Sequence, residues 1–330
     1  MYPPGLPGAC CFALIHRKPR ANVRVMVEPV DRTYTTRDGT ELPLRAWEPR
    51  CPRNGGVGMP PGDESHGRTR PAVAHAAAVY LHGIQSHNGW YELSSRHLAA
   101  AGVAVYQVER RGSGRDTAHE RGHVERAEVW LDDVAAAAEL ARRETGLAGV
   151  HLLAVSWGGK LALACAAHRP DLYRSLILAA PGIIPRVDVT VLTKVRIARA
   201  LMAREPLRRF RIPLGAPGLF TANAERQRYI AEDPLSLREV TARFLVESRR
   251  LDRLARRGAA SVRAPTLLAL AEHDRIIDNA ATRAIVLSMA VRRRIVLYPG
   301  AHHTLEFEPD PAPYFRDLVA WIDEIDSVRK

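Results

Sequence analysis

The chain has 330 residues, of which 46% are hydrophobic and 25% are charged, and its formal net charge at pH 7 is +12. A chain of this length can bury a large core, and we expect one large domain with an insertion rather than two domains. The positive charge would suit a nucleic-acid partner, but the sequence has no run of five like charges and only 6% aromatic residues. We therefore predict that the protein does not bind nucleic acid.

The four cysteines, Cys10, Cys11, Cys51 and Cys165, do not form a C-x-x-C motif. Because no histidine ladder lies near them, neither a disulfide framework nor a zinc site is indicated, and we predict no metal and no cofactor. No apolar run reaches the roughly 18 residues of a membrane span. The apolar stretch at 9–16 lacks the preceding basic region of a signal peptide. These features predict a cytoplasmic protein.

The first predicted elements follow an N-terminal extension. We interpret residues 1–25 as disordered, and Met26 is a candidate for the true start of the protein. Two alternating runs at 32–36 and 41–48 then flank an Asp-Gly pair, which is a strong signal for a β-hairpin. Residues 50–72 are rich in Gly, Pro and charge and have no periodicity, so we expect a flexible loop there.

From residue 76 onward, short apolar runs alternate with helical segments. Runs of this kind are typical of strands covered on both faces of a mostly parallel sheet. The strands are predicted at 76–81, 103–109, 150–155, 175–180, 266–271 and 294–299. The helices are predicted at 90–102, 124–144, 158–169, 279–290 and 312–325. This alternation predicts an α/β fold, with a mostly parallel central sheet flanked by helices.

One insertion interrupts this alternation. Residues 182–262 carry helical periodicity and many arginines, and we predict that they form a helical cap or lid over the carboxyl ends of the strands. The core would then consist of residues 26–181 and 263–330. The mixture of apolar stripes and basic residues in the cap also suggests peripheral contact with an anionic membrane.

The stretch LLAVSWGGK at 152–160 contains the first candidate catalytic residue. Ser156 ends an apolar run directly before two glycines, so it is either the N-cap of a helix or a nucleophile at a sharp strand-to-helix turn. The usual pattern for such a turn is G-x-S-x-G, and this chain has Ala154 at the first glycine position. A single methyl group is the smallest possible intrusion, so we expect the turn to form.

A nucleophilic serine needs a histidine as base and a carboxylate that orients it, and for a serine at this kind of strand-to-helix turn both are expected later in the chain. Asp274 follows the predicted strand at 266–271, and Asp278 is a good N-cap for the next helix, which leaves Asp274 without that role. Glu272 is the rival acid. For the base, only one of the adjacent histidines after the last strand can point into the site. We choose His303, because the small pair Gly300 and Ala301 would turn the chain and leave His303 facing back across the strand ends, and His302 is the alternative.

The oxyanion hole is expected from two main-chain amides. Gly83 allows a tight turn that directs the Ile84 N–H into the site, and the second amide is that of Trp157 at a helix N-terminus. We expect His82 to support this loop through hydrogen bonds. We disfavour a metal site at His82 and His87 because no third ligand has suitable spacing.

The combination of these motifs resembles the α/β-hydrolase family, in particular its branch of monoacylglycerol lipases and lysophospholipases. The resemblance extends over residues 32–327 and depends on YLHGIQSH, ERRGSG, AVSWGG, AEHDRIID and YPGAHHTLEFE. It implies that Ser156 is the nucleophile, Asp274 the acid and His303 the base. It also implies that the amides of Ile84 and Trp157 bind the oxyanion.

The resemblance implies a serine esterase or lipase that hydrolyses carboxylic esters through an acyl-enzyme, with a monoacylglycerol, a lysophospholipid or another small acyl ester as substrate. An acyltransferase or a thioesterase would use the same triad. A proline-type aminopeptidase would need acidic cap residues to hold a substrate amine, and the candidates are Glu225, Glu232, Asp233, Glu239 and Glu247. The remaining alternative is a binding protein without catalytic activity. The sequence makes no prediction of the oligomeric state.

Overall fold

The computed structural model describes residues 27–49 and 73–327. The predicted extension at 1–25, the candidate start at Met26 and the predicted loop at 50–72 lie outside these residues. The described strands are β1 (Val30–Thr35), β2 (Glu41–Trp47), β3 (Ala76–Leu81), β4 (Val103–Val108), β5 (Val150–Val155), β6 (Tyr173–Ala179), β7 (Arg209–Arg211), β8 (Glu239–Thr241), β9 (Thr266–Ala271) and β10 (Arg293–Tyr298). The described helices are α1 (Glu92–Ala100), α2 (Ala127–Thr145), α3 (Trp157–His168), α4 (Val191–Met202), α5 (Ala224–Glu232), α6 (Ala242–Gly258), α7 (Asn279–Ser288) and α8 (Ala312–Ser327).

An eight-stranded sheet with the order β1-β2-β4-β3-β5-β6-β9-β10 forms the centre of the molecule. Strand β2 pairs in the antiparallel direction with both β1 and β4. The other strands of this sheet, β4, β3, β5, β6, β9 and β10, are parallel to one another. Every residue of β3, β4, β5 and β9 is buried. The predicted α/β fold is confirmed, since continuous apolar runs form these doubly covered strands.

The N-terminal hairpin is confirmed as well. Tyr34 pairs with Leu42 across it, and the turn contains the predicted Asp-Gly pair. Gly39 has a φ of 82°, a left-handed conformation that glycine adopts without a steric penalty. The N–H of Thr36 donates to the carbonyl of Thr40 at 2.8 Å and closes the turn.

The helices pack in two groups against the sheet. Helix α1 contacts β4 and α8, while α2 and α3 contact each other and also α6. The parallel strands all end at one edge of the sheet, and the loops that follow β3, β5 and β9 begin there. The candidate site residues predicted from the sequence therefore lie together at this edge of the sheet.

The insertion between β6 and β9 contains α4, α5 and α6, in agreement with its helical periodicity. It also contains an antiparallel pair, β7 and β8, which the sequence analysis did not predict. Helix α6 presents a buried face, including Phe244 and Leu251, and it packs on α3. Across the described ranges, no helix has both the length and the apolar character that crossing a membrane requires.

Candidate active site

Ser156 lies at the sharp turn between β5 and α3. Its φ and ψ are 54° and −125°, a left-handed backbone conformation that costs a non-glycine residue about 1–3 kcal/mol. The side chain makes no capping hydrogen bond to the helix, so Ser156 does not act as an ordinary N-cap. The turn instead holds the hydroxyl at the carboxyl edge of the sheet, where 8% of the residue is exposed.

The two glycines after Trp157 are required by close packing at this turn. A Cβ atom on Gly158 would lie 2.7 Å from the carbonyl oxygen of His82, and one on Gly159 would lie 2.3 Å from the Cβ of Pro181. Ala154, which replaces the first glycine of the usual pattern, is fully buried on β5 between Leu81 and Leu178. The turn therefore forms around a methyl group at position 154.

The structure brings Ser156, His303 and Asp274 together in one hydrogen-bonded chain. Nε2 of His303 lies 2.8 Å from Oγ of Ser156, and Nδ1 lies 2.7 Å from Oδ2 of Asp274. Because a carboxylate can only accept, Nδ1 carries the proton and Nε2 is free to accept one from the serine. His303 and Asp274 are 1% and 3% exposed, so both bonds lie away from bulk water.

Asp274 is held in its ionised form. Burial by itself would raise the pKa of this carboxyl, but His303 and the N–H groups of Ile277 and Ile276 lower it below its usual value. Both amides donate to Oδ1, at 3.0 and 2.8 Å respectively. Asp278 instead caps α7 by accepting from the N–H of Ala281 at 3.0 Å, as the sequence analysis expected.

The rival residues have other partners. Glu272 accepts a hydrogen bond from the N–H of Gly300 at 2.7 Å, and nearly half of its side chain is exposed. His302 lies next to Glu308, with Nδ1 3.4 Å from Oε1. Neither side chain contacts Ser156.

The loop after β3 lies directly against the serine. A Cβ atom on Gly83 would be 3.2 Å from the Cβ of Ser156, so only glycine fits there without a shift. Within 27–49 and 73–327, neither the N–H of Ile84 nor that of Trp157 donates to a protein acceptor. Both amides are therefore available to a ligand, and that of Trp157 also benefits from the helix dipole.

His82 supports this loop, in agreement with the expectation from the sequence. Its Nδ1 donates to the carbonyl of Gly83 at 2.8 Å, and its Nε2 accepts from the N–H of Arg110 at 3.1 Å. Burial, together with the charge of Arg110, lowers the pKa of His82 well below its usual value. His82 is therefore neutral, and its tautomer is set by these two bonds.

His87 links the same loop to the insertion. Nε2 of His87 lies 3.0 Å from Oδ2 of Asp233, which also accepts from the indole N–H of Trp90 at 2.7 Å. No group of three potential metal ligands occurs among the residues that the structure covers. Local sequence spacing does not predict this contact of His87, because its partner lies 146 positions away in the chain.

A pocket of about 450 Å³ opens beside Ser156. Its walls include Ile84 and Trp157 from the core and a group of apolar side chains from the insertion, namely Val187, Val189, Ile197, Leu201, Ile212, Leu214, Leu245 and Val246. Lys160 and Asp252 form a buried ion pair in the same lining, with Nζ 2.6 Å from Oδ1. This pair was not predicted from the sequence, although Lys160 directly follows the predicted turn.

Comparisons with known proteins identify the family of this chain. Residues 72–310 match the family described as "Serine aminopeptidase, S33". The monoacylglycerol lipase of Mycolicibacterium smegmatis is 25% identical over 256 residues, which cover 74% of this chain and 86% of that protein. Human monoglyceride lipase is 24% identical over 262 residues, which cover 77% of this chain and 85% of that protein.

Solved structures share the fold. The crystal structure of Paleococcus ferrophilus monoacylglycerol lipase has a TM-score of 0.68 at 24% identity and covers 76% of this chain and 94% of its own. A soluble variant of Saccharomyces cerevisiae monoglyceride lipase, solved with a substrate analog, has a TM-score of 0.72 at 17% identity and covers 94% of this chain and 99% of its own. The chain therefore belongs to the serine aminopeptidase S33 family of α/β-hydrolases and resembles its monoacylglycerol lipase branch.

Proposed function

We propose that the protein is a carboxylic ester hydrolase that works through an acyl-enzyme on Ser156. The observation that carries this proposal is the buried chain of hydrogen bonds from Ser156 through His303 to Asp274, at 2.8 and 2.7 Å. A serine is a weak nucleophile by itself, and an adjacent base oriented by a carboxylate activates it.

The reaction would begin when Oγ of Ser156 attacks the ester carbonyl carbon and Nε2 of His303 accepts its proton. The negative charge on the carbonyl oxygen would be bound by the N–H groups of Ile84 and Trp157. The C–O bond to the alcohol then breaks, and the alcohol leaves with the proton from Nε2. Water attacks the acyl-enzyme with His303 again as base, which releases the carboxylic acid and restores Ser156. Asp274 holds the imidazole in position and stabilises its charge.

The pocket supports an acyl chain as the group bound next to Ser156. Its volume of about 450 Å³ and its apolar walls from the insertion match the size and character of small-molecule sites. The relatives are named as monoacylglycerol or monoglyceride lipases. We therefore propose a monoacylglycerol, a lysophospholipid or a similar small acyl ester as substrate, with residues 182–262 as the cap that selects it.

We further propose that the cap makes peripheral contact with an anionic membrane. Helix α4 exposes large apolar side chains at Val191, Leu192 and Met202, which are 76%, 69% and 84% exposed. Basic residues on the same helix, Arg196 and Arg199, could approach lipid phosphates. Flotation with vesicles tests this proposal: equal binding to neutral and anionic vesicles would contradict the role of charge.

The peptidase alternative finds little support in the pocket. None of the five acidic cap residues lines the pocket within the described part of the chain, and Asp233 is already bound by His87 and Trp90. The carboxylates that do line it, Asp188 and Asp252, pair with Lys194 at 2.7 Å and with Lys160 at 2.6 Å respectively. Either carboxylate would have to leave its lysine partner before it could bind a substrate ammonium group.

Two measurements test the proposed function. A fluorophosphonate probe should label the wild-type protein at Ser156, and Ser156→Ala should abolish both labelling and hydrolysis of a p-nitrophenyl ester. Wild-type activity in this variant would remove Ser156 from the mechanism, and absent labelling of the wild type would favour a non-catalytic binding protein. Hydrolysis of esters with varied acyl chains and head groups, alongside assays with alcohol acceptors and thioesters, separates a lipase from an acyltransferase or a thioesterase.

A further inference from the structure

Arg110 is a buried cation next to the candidate oxyanion hole. It follows β4 and is 7% exposed. Among the described residues, its side chain makes three hydrogen bonds, all to neutral oxygens, and its Nε atom is buried without a hydrogen-bond partner. Burial lowers the pKa of Arg110 to about 9, although the charge of Glu109 acts in the opposite direction. Such a guanidinium is costly to bury, and its hydrogen bonds to main-chain carbonyls offset part of that cost.

The guanidinium binds the peptide unit that carries the first candidate oxyanion donor. Nη1 of Arg110 donates to the carbonyl of Gly83 at 3.0 Å, and Nη2 donates to that of Ile84 at 2.8 Å. The carbonyl of Gly83 and the N–H of Ile84 belong to the same planar trans peptide, so they point in opposite directions. Holding the carbonyl on one side therefore fixes the direction of the N–H on the other.

The same contact also polarises the donor. The carbonyl of Gly83 accepts two hydrogen bonds, one from Arg110 and one from Nδ1 of His82 at 2.8 Å. A charged donor on a carbonyl withdraws electron density from the peptide and strengthens the hydrogen bond that its N–H can donate. The N–H of Ile84 is thus both oriented and strengthened by a group on the opposite side of the peptide.

Arg110 contacts the residue of the second candidate donor as well. Its Cζ lies 4.7 Å from the centre of the Trp157 ring and 5.5 Å from that of Phe244, which are cation–π distances. The indole N–H of Trp157 donates to Oγ of Ser248 at 2.9 Å, so the ring is fixed at its edge and at its face. One side chain thereby contacts both segments that carry the candidate oxyanion donors.

We propose that Arg110 is a positioning residue that aligns the amides of Ile84 and Trp157 as one oxyanion hole. This inference rests on the proposed function, because it assumes that the two amides stabilise charge during acyl transfer. Arg110 itself touches neither Ser156 nor His303. Its effect should therefore appear in the rate of the chemical step and leave substrate binding almost unchanged.

The test compares Arg110→Met, Arg110→Lys and wild type. Loss of a complete oxyanion donor costs roughly 10²–10³ in kcat, so loss of alignment should cost about 10–100-fold in kcat with little change in KM. Arg110→Lys should recover part of the rate, because an ammonium keeps the charge but cannot bridge both carbonyls with a planar fork. The affinity of an aryl boronic acid, which forms a tetrahedral adduct with the serine, should fall in parallel with kcat, whereas that of the product fatty acid should not.

Arg45 supplies the matched control. It is also a buried arginine, but it pairs with Asp31 and Glu92 on the N-terminal hairpin side of the sheet. Arg45→Met should lower the unfolding temperature and leave kcat unchanged. If Arg110→Met matches wild type in kcat and in boronic acid affinity, or lowers kcat only as much as Arg45→Met does, the proposal is wrong.

Labelling by the fluorophosphonate probe separates this inference from the proposed function. If the wild-type protein is not labelled, the nucleophilic role of Ser156 fails. If the wild type is labelled and Arg110→Met reacts at the same rate, only the role of Arg110 fails. If Arg110→Met does not fold, Arg110→Lys carries the same comparison, and wild-type kcat and labelling in that variant would overturn the bridging role.

Discussion

Nδ1 of His303 lies 2.7 Å from Oδ2 of Asp274, and the other oxygen of the carboxylate accepts two main-chain N–H groups. Asp274→Asn would keep the volume but could place an amide NH₂ against Nδ1, which forces the imidazole to carry its proton on Nε2. The histidine could then no longer accept a proton from Ser156. We expect kcat for ester hydrolysis to fall by a factor on the order of 10³–10⁴.

Asp278→Asn is the control for this prediction. Asp278 caps α7 through the N–H of Ala281, and asparagine is an equally good N-cap. Its kcat should therefore match that of the wild type. If both variants lost activity to the same degree, the effect of Asp274→Asn would reflect a damaged loop and not the imidazole.

The pH dependence of stability should report on Glu109. Burial raises the pKa of this carboxyl to about 7, and its Oε2 has no hydrogen-bond partner within the part of the chain that the structure describes. Because the folded pKa exceeds the unfolded one, the stability contributed by this group is fully present below about pH 4.5 and is lost as the pH rises through 7. Glu109→Gln should remove this loss, which amounts to roughly 3 kcal/mol.

Urea unfolding of wild type and Glu109→Gln at several pH values between 5 and 8 measures this difference. The free energy of unfolding should fall more steeply with pH in the wild type than in the variant. Part of the slope should remain in both proteins, because burial also raises the pKa of Glu306 to about 7. Parallel curves for the two proteins would show that Glu109 does not titrate in this range.

The ion pair of Lys160 and Asp252 supplies a test of buried charge in the pocket wall. Nζ of Lys160 lies 2.6 Å from Oδ1 of Asp252 and also donates to Oγ of Ser248. Lys160→Met leaves the carboxylate with only the partly exposed Arg249, whose Nη1 lies 3.4 Å from Oδ2, and should lower the free energy of unfolding by about 3 kcal/mol. The double variant Lys160→Met/Asp252→Leu should recover most of that loss, as a double-mutant cycle can measure. If the double variant loses as much free energy of unfolding as Lys160→Met and Asp252→Leu lose when added together, the pair is not coupled.

The substitution Ala154→Gly tests how tightly β5 and α3 pack at the turn. Since the turn already forms around its methyl group, Ala154→Gly should leave kcat broadly unchanged. The free energy of unfolding should fall by about 1 kcal/mol, because glycine loses more backbone entropy on folding and removes a buried methyl. A large loss of activity in a folded variant would show that the methyl group itself helps to position Ser156.

The parallel strands could be predicted closely because each is a short apolar run between polar segments, and the run at 266–271 forms β9 without any change of bounds. The pair of β7 and β8 could not be predicted in this way. Each has only three residues, too few to show an alternation, and their pairing depends on contacts within the insertion. Local pattern therefore predicts the sheet better than it predicts the insertion.

The same distinction applies to the site. Asp274 and His303 could be placed next to Ser156 because the ends of parallel strands meet at one edge of the sheet. The proposed role of Arg110 depends instead on carbonyls 26 and 27 residues earlier in the chain. Sequence spacing does not predict which side chain will bind main-chain oxygens. The available signal is the charged pair Glu109 and Arg110, which follows the buried run at 103–108.

The pocket next to Ser156 should determine the preferred length of the acyl chain. Val246 lies on α6, is partly buried and belongs to the apolar lining contributed by the insertion. Val246→Trp would fill part of the volume of about 450 Å³ without changing Ser156, His303 or Asp274. We expect kcat/KM to fall for long-chain p-nitrophenyl esters and to stay close to wild type for the acetate. Leu297→Trp, at a position on β10 that is 52% exposed, is the matched control and should change neither value. Equal losses for short and long chains in Val246→Trp would place the acyl chain elsewhere, because a filled acyl site cannot affect an acetyl group and a long chain alike.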